Sequence, residues 1–211
     1  MLTSHNRRQD TVCHIDTEFY NRNFTIHPVS FGGVREDDDT RLYVIHPGAE
    51  DVLEMARKDN ESFITDVIFS PQVLDWGNPV RPSTDAEYNS MIVDFMGVSP
   101  EWWIFVGNYD VVCMHQTFGG MMKAPPHWKR TYKELSVLCN MLGISIKEHY
   151  PRNPPDNPYG PHHNGLADAL WGQHVYRDIM RRCSSGEFGT LGLSVIDYVT
   201  YKIPNPGDRK E

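Results

Sequence analysis

Hydrophobic positions recur along the chain at two different spacings, and the alternation between them predicts an α/β protein. Thr11 to Glu18, Thr25 to Arg35 and Arg41 to His46 are rich in β-branched and aromatic residues, which predicts three strands. The acidic run Glu36-Asp37-Asp38-Asp39 is short enough to turn a hairpin between the last two, so the three are expected to be antiparallel. Consecutive carboxylates on such a turn face solvent more often than a metal ion. Asp51 to Asp59 reads as a short helix, and Ser70 to Pro82 is broken by Pro71, Gly77, Pro79 and Pro82. Ser83 or Thr84 is placed to cap a helix over Asp85 to Met96, whose Tyr88, Met91, Ile92 and Phe95 fall on one face.

Trp102-Trp103-Ile104-Phe105-Val106, within Glu101 to Val106, is a continuous apolar run that suits a strand covered on both faces. A strand that enters from one helix and leaves into another implies a parallel neighbour. Further helices are expected over Tyr109 to Phe118, over Thr131 to Leu142 with Leu135, Leu138, Cys139 and Leu142 inward, and from Asn164 to Arg181 with Leu166, Leu170, Val175 and Ile179 inward. Ile144 to Lys147 reads as a short strand and Pro151 to Pro161 as an irregular loop. Leu191 to Ile203 alternates like one more strand or an extended arm, and Pro204 to Glu211 reads as a frayed end. The expected class is α/β, with a mixed five-stranded sheet of three antiparallel N-terminal strands plus parallel strands, flanked by helices.

Composition narrows the picture. At 211 residues with 39% hydrophobic content, the chain has enough apolar surface for one core. The expected organisation is a single domain over 1–211 with a C-terminal extension at about 186–211. Met1 to Thr11 lacks the apolar stretch of a secretory signal, and no run approaches the roughly 18 apolar residues of a membrane span. Cys13, Cys113, Cys139 and Cys183 are far apart with no CxxC pair, which argues against a zinc ribbon or disulfide scaffold and points to a reducing, cytoplasmic setting. The net charge of −8 disfavours a protein that grips phosphate with a broad basic surface. Two bound divalent cations would halve that charge, so a protein meeting phosphate through metal ions escapes the objection.

Three separated pieces carry candidate chemistry. In His14-Ile15-Asp16-Thr17-Glu18-Phe19, residues two apart on a strand face the same side, so Asp16 and Glu18 project together. Paired carboxylates repel, and a hard divalent ion removes that cost. In the second piece, the aromatic strand leads through Gly107-Asn108 to Asp110, at the strand-to-helix edge where function collects in open α/β sheets. An Asp in a first helical turn also serves the helix dipole, so Asp110 alone decides nothing. In the third, His163-Asn164-Gly165-Leu166-Ala167-Asp168, an N-cap at Asn164 would let His163 and Asp168 reach the same side of the helix start. A histidine titrating near pH ~6.5 suits proton abstraction from water.

In combination these pieces resemble the 3′-to-5′ exonuclease superfamily named for its four acidic residues, in the histidine-bearing DEDDh subclass. More narrowly, the chain is similar to the small bacterial and phage exoribonucleases of the RNase T-like group. The likeness rests on Asp16-Thr17-Glu18-Phe19, on Trp103 to Asp110, on Phe118-Gly119 with Ala124-Pro125-Pro126, and on His163 to Asp168; together they span most of residues 12–182. It implies an RNase H-like fold, Asp16, Glu18, Asp110 and Asp168 as ligands of two Mg²⁺ ions with Mn²⁺ as a substitute, and His163 as general base. His162 offers a second imidazole; the spacing to Asp168 favours His163. The implied reaction releases nucleoside 5′-monophosphates from single-stranded RNA 3′ ends, with single-stranded DNA as the rival substrate. Phe19, Tyr20 and Tyr109, and after them Trp128, are candidates for stacking on terminal bases. A homodimer, paired through the segment near Val195 to Tyr201, is the expected assembly. Competing readings are an inactive nucleic-acid-binding module of the same fold and a zinc hydrolase using His14, His115, His162 or His174.

Overall fold

The structure, a computed structural model, describes residues 11–105, 107–128, 132–152 and 158–200. The stretches read from sequence at Met1 to Asp10, at Val106 and Thr131, within the proline-rich loop at 153–157, and beyond Thr200 lie outside them.

Strands β1 (Val12–Arg22), β2 (Thr25–Arg35) and β3 (Arg41–Ile45) form an antiparallel meander, while β4 (Glu101–Ile104) and β5 (Lys133–Glu134) add in parallel beside β1. The resulting order, β3-β2-β1-β4-β5, puts β1 at the centre. This is the mixed five-stranded α/β sheet expected from the sequence, with the strand order and directions of an RNase H-like fold.

Alternation along the strands splits the core between two faces. Cys13, Ile15, Phe31, Trp102 and Ile104 pack with Tyr88, Ile92 and Phe95 of helix α3 (Asp85–Met96) and Met114 of α4 (Asn108–Thr117). Trp103 faces the other way, onto Trp171, Val175 and Ile179 of the long helix α7 (Gly165–Ser184) and Leu135 and Leu138 of α5 (Leu135–Met141). The two adjacent tryptophans therefore seal opposite sides of one strand, as a continuous apolar run on a doubly covered strand requires. A third cluster joins β2, β3 and Leu166 to helix α1 (Ala49–Asp59).

Local chemistry sets the ends of these helices. Thr84 Oγ1 accepts from Glu87 N while Glu87 Oε2 accepts from Ser83 N, a reciprocal cap that makes Thr84 the N-cap of α3. Asn164 Oδ1 accepts from Ala167 N at 3.0 Å, the expected cap of α7, and Arg181 and Arg182 sit in the last turn, where a cation suits the dipole. The acidic turn does more than face water. Arg177 of α7 holds Glu36 and Asp39 at 2.7 Å each, and Arg35 holds Asp37, so the β2–β3 hairpin is clamped to α7.

Several expected elements differ. Phe63–Ile68 is a π-helical turn, and Pro71–Leu74 is a short helix, α2. The fifth strand is Lys133–Glu134 rather than Ile144 to Lys147, and Ile146–His149 forms one helical turn, α6. Lys133 explains the first change: its Nζ pairs with Glu101 of β4 and donates to Tyr198 O and Val199 O, which pins the segment to the sheet edge before α5 starts. Those carbonyls end α8 (Gly189–Thr200), a helix where a strand or arm was expected. Val195 and Val199, four residues apart, are buried against the chain's own core, so that segment is not an extended arm for pairing with a second copy.

The seat of α7 on the sheet is a glycine–glycine contact. A Cβ at Gly32 would land 1.9 Å from Gly165 C, and a Cβ at Gly165 would land 3.1 Å from Asp16 O. Gly32 pairs with Asp16 in the β1–β2 register, so only glycine lets the start of α7 lie directly over Asp16. Gly32→Ala is expected to cost about 3 kcal/mol, which lowers the melting temperature by about 6–12 °C for a domain of this size. Gly172→Ala, inside α7 with only Leu135 Cδ1 at 3.6 Å, is expected to melt no lower than wild type. Equal melting of Gly32→Ala and wild type in a thermal scan would contradict this seating.

Candidate metal centre

Asp16 and Glu18 leave β1 on the face covered by α7, and Asp168 comes down from the first turn of α7. One oxygen from each of the three carboxylates lies within 4.8 Å of the others, the one such group of potential ligands among the described residues. The β1–β4 pairing ends at His14–Trp103, so Asp16 sits just past the carboxyl end of β4, where the sheet opens into a cavity of about 790 Å³. Asp16, Glu18, Asp110, His163 and Asp168 all line it, together with Phe19 and Arg152.

Asp110 stands beside the trio, in the first turn of α4, and is nearly buried. Its Oδ1 accepts from Thr17 N at 2.8 Å and from Thr17 Oγ1 at 2.7 Å. Thr17 points to the opposite face from Asp16 and Glu18, so β1 supplies two acids on one side and the tether for a further acid on the other.

Asp168 is fixed twice at the backbone. Asp168 N donates to Asn164 O at 2.9 Å, and Asp168 Oδ2 accepts from His163 N, also at 2.9 Å. His163 takes a left-handed backbone with φ of 65°, and its ring stacks on His162 with centroids 3.7 Å apart. The ring of Phe63, on the π-helical turn, stands perpendicular to that of His163 with centroids at 4.9 Å. Asn164 Nδ2 donates to Val73 O, tying the cap of α7 to α2.

Electrostatically the trio is costly. Burial raises the Asp16 carboxyl well above its usual range, and Asp110, Asp168 and Glu18 push it further. Burial, then Asp168 and Asp110, do the same to Glu18. Asp110 is pushed up to about 6, burial outweighing the Thr17 hydrogen bonds. Burial also raises Asp168, against the pull of Arg152. His163 is lowered by burial and by its neighbour His162, with Asp168 opposing, so its imidazole is neutral near pH 7.

This donor set fits a hard divalent ion. All contributing atoms are carboxylate oxygens, the ligands of Mg²⁺, Mn²⁺ or Ca²⁺ rather than the nitrogen and sulfur ligands typical of zinc. The histidines of the zinc reading join no such group among the described residues, and His14 is buried with its Nε2 on Glu36. The Cys13 and Cys113 thiols are pushed up to about 12 by burial, which leaves them protonated and unsuited as ligands.

The structure sorts the aromatic candidates. Phe19 lines the cavity with its ring 5.8 Å from that of Tyr109, which is 55% exposed. Tyr20 does not line it: the ring is buried beneath α1 and its hydroxyl donates to Asp59. Trp128 is a core residue against Trp102 and Phe118, its indole N–H given to Gly97 O. Sequence reading missed Arg152 and Phe63. Arg152 lies in a proline-rich loop with no periodicity, and Phe63 lies on a turn without strand or helix spacing, so neither carried a signal.

No protein-family model matches the chain, and no curated protein matches it. Among solved structures, the zinc-ion-bound form of the E. coli ExoI–ssDNA complex aligns with a TM-score of 0.48 and 14% identity, covering 83% of this chain and 41% of that one. The chain therefore spans about two fifths of the length of that structure's chain. No helix among the described residues is long and apolar enough to cross a membrane.

The raised carboxyls give a pH dependence of known sign. Without divalent ions, Asp110 has a folded pKa of about 6 against 3.8 unperturbed. Its contribution to stability is then present below pH 3.8 and lost as pH rises through about 6. Ion binding needs the deprotonated form, so it reverses the trend. At a hundredfold excess over its dissociation constant, Mn²⁺ is expected to raise the melting temperature at pH 7.5 by about 5–10 °C. Below pH 6 that gain should shrink. A Mn²⁺-induced shift of the same size at pH 5 and pH 7.5 in differential scanning calorimetry would contradict this assignment.

Proposed function

We propose that the chain is a divalent-metal-dependent 3′-to-5′ exonuclease that removes nucleoside 5′-monophosphates from single-stranded RNA ends. The observation that carries this reading is the convergence of the Asp16, Glu18 and Asp168 oxygens within 4.8 Å, with Asp110 and the neutral His163 on the same cavity wall. A binding module has no use for a neutral base facing a cluster of half-buried acids; phosphodiester hydrolysis needs both.

In this reading Asp16, Glu18, Asp110 and Asp168 hold two divalent ions, Mg²⁺ or Mn²⁺. Bound there, the ions would supply charge stabilisation for phosphodiester displacement. The protein does the rest. His163 takes the proton of the attacking water, and its Asp168-anchored backbone holds the ring at the edge of the carboxylate group. Thr17 keeps the Asp110 carboxylate turned toward β1. Phe19 and the exposed ring of Tyr109 provide a surface on which a terminal base can stack. A cavity of about 790 Å³ lies within the roughly 300–1,000 Å³ of small-ligand sites, which suits one frayed chain end rather than an unbroken duplex. The preference for RNA over DNA, and membership of the RNase T-like branch, rest on the sequence motifs, as does the single-domain organisation.

A 5′-labelled single-stranded RNA incubated with the protein and Mg²⁺ is expected to give a ladder that shortens from the 3′ end and to release 5′-monophosphates, both abolished by chelator. Asp110→Ala should remove turnover, and His163→Ala should lower kcat by about 10²–10⁴-fold. Internal cuts, or unaltered turnover in Asp110→Ala, would overturn the reading. Equal or faster trimming of DNA of the same sequence would move the substrate to single-stranded DNA.

A further inference from the structure

Among the described residues Arg152 is the one guanidinium on the wall of the acidic cavity, and the proposed reaction leaves it without a task. Its Nε and Nη2 both close on Asp168 Oδ1, and its charge also draws down Asp16 and Glu18. The guanidinium lies over the Trp171 ring at 5.6 Å, and the side chain is only 12% exposed. Nη1 and Nη2 are both buried with no hydrogen-bond partner among the described residues, Nη2 meeting Asp168 only as an ion pair. A guanidinium carries five donors in a planar fork, and a buried donor without an acceptor is destabilising. The side chain lines the cavity with donors to spare.

Asp168 Oδ1 cannot serve a guanidinium and a divalent ion at full strength, because the two cations repel at that range. What a released guanidinium would meet in this cavity is the oxyanion of a nucleic-acid strand, and its fork matches two phosphate oxygens. We propose that Arg152 exchanges partners: it neutralises Asp168 until divalent ions take that carboxylate, and then grips the non-bridging oxygens of the terminal phosphate. Trp171 supports the guanidinium in both positions, since a cation over a ring face keeps its edge free for hydrogen bonds. Arg152 then counts as a substrate-binding residue whose first position is an internal stand-in for metal. This inference rests on the exonuclease reading above.

The test uses calorimetry on the whole chain, with Arg152→Gln and Arg152→Lys beside wild type and thermal melts to show that all are folded. Mn²⁺ alone should bind Arg152→Gln about three- to tenfold more tightly than wild type, because the competing cation is gone. AMP, the product of the proposed reaction on an adenosine end, should bind Arg152→Gln in saturating Mn²⁺ at least about tenfold more weakly. Arg152→Lys, which keeps the charge but not the fork, should fall between the two for AMP. Opposite shifts in the two affinities are what a merely structural role, packing on Trp171, would not produce. If wild type trims single strands while Arg152→Gln binds either Mn²⁺ or AMP like wild type, the exchange is overturned and the exonuclease reading stands. If wild type leaves both RNA and DNA uncut, the reading and this inference fall together.

Discussion

Mutual repulsion among half-buried carboxylates is the constraint around which this protein is organised. A charge taken from water into a protein interior costs several kcal/mol even after relaxation, against a total folding margin of roughly 5–15 kcal/mol. Asp16, Glu18 and Asp168 lie within 4.8 Å of one another with Asp110 alongside, and no fold of this size can carry them all ionised without added positive charge. They can be tolerated only by taking up protons or by sharing cations. The raised carboxyls express the first solution and Arg152 part of the second. The architecture spends much of its specificity on keeping the acids together. Gly32 and Gly165 give up side chains so that α7 can rest on β1, Thr17 ties down Asp110 through two hydrogen bonds, and Asn164 joins the start of α7 to α2.

The same contacts couple the proposed base to the proposed ligands. His163 N donates to Asp168, so the backbone that carries the imidazole is held by one of the clustered acids. The left-handed conformation at His163 is uncommon for a residue with a side chain, and it persists because α7, His162 and Phe63 surround it. Burial lowers the pKa of the imidazole, with His162 adding to it. Imidazole, acids and seat therefore form a unit: a change that loosens α7 disturbs the geometry of the carboxylate cluster as well as stability.

Much of this was legible in the residues. The two-residue spacing of Asp16 and Glu18, the aromatic strand running to Asp110 and the cap at Asn164 each follow from local geometry, and strand or helix periodicity places them without tertiary knowledge. Trp102 and Trp103 read correctly as a strand covered on both faces. The misread segments share a different cause. Leu191 to Ile203 is β-branched and loosely alternating, yet Val195 and Val199 are buried at helical spacing because α7 offers a groove that no local window reveals. Lys133 and Glu134 become a strand through contacts with β4 and α8, so their state is set by residues far away along the chain. Tyr20 follows the cavity-lining Phe19 on β1 but lies beneath α1, and only the packing of that helix shows it. Arg152 was invisible for a related reason: a lone arginine among prolines acquires meaning only when Asp168 is found beside it.

The central claim is that these acids coexist by binding cations, and anomalous diffraction from crystals equilibrated with Mn²⁺ tests it most directly. The account predicts manganese peaks between Asp16, Glu18 and Asp168, with the carboxylates turned toward them. Well-ordered carboxylates with no anomalous density among them at millimolar Mn²⁺ and neutral pH would contradict it.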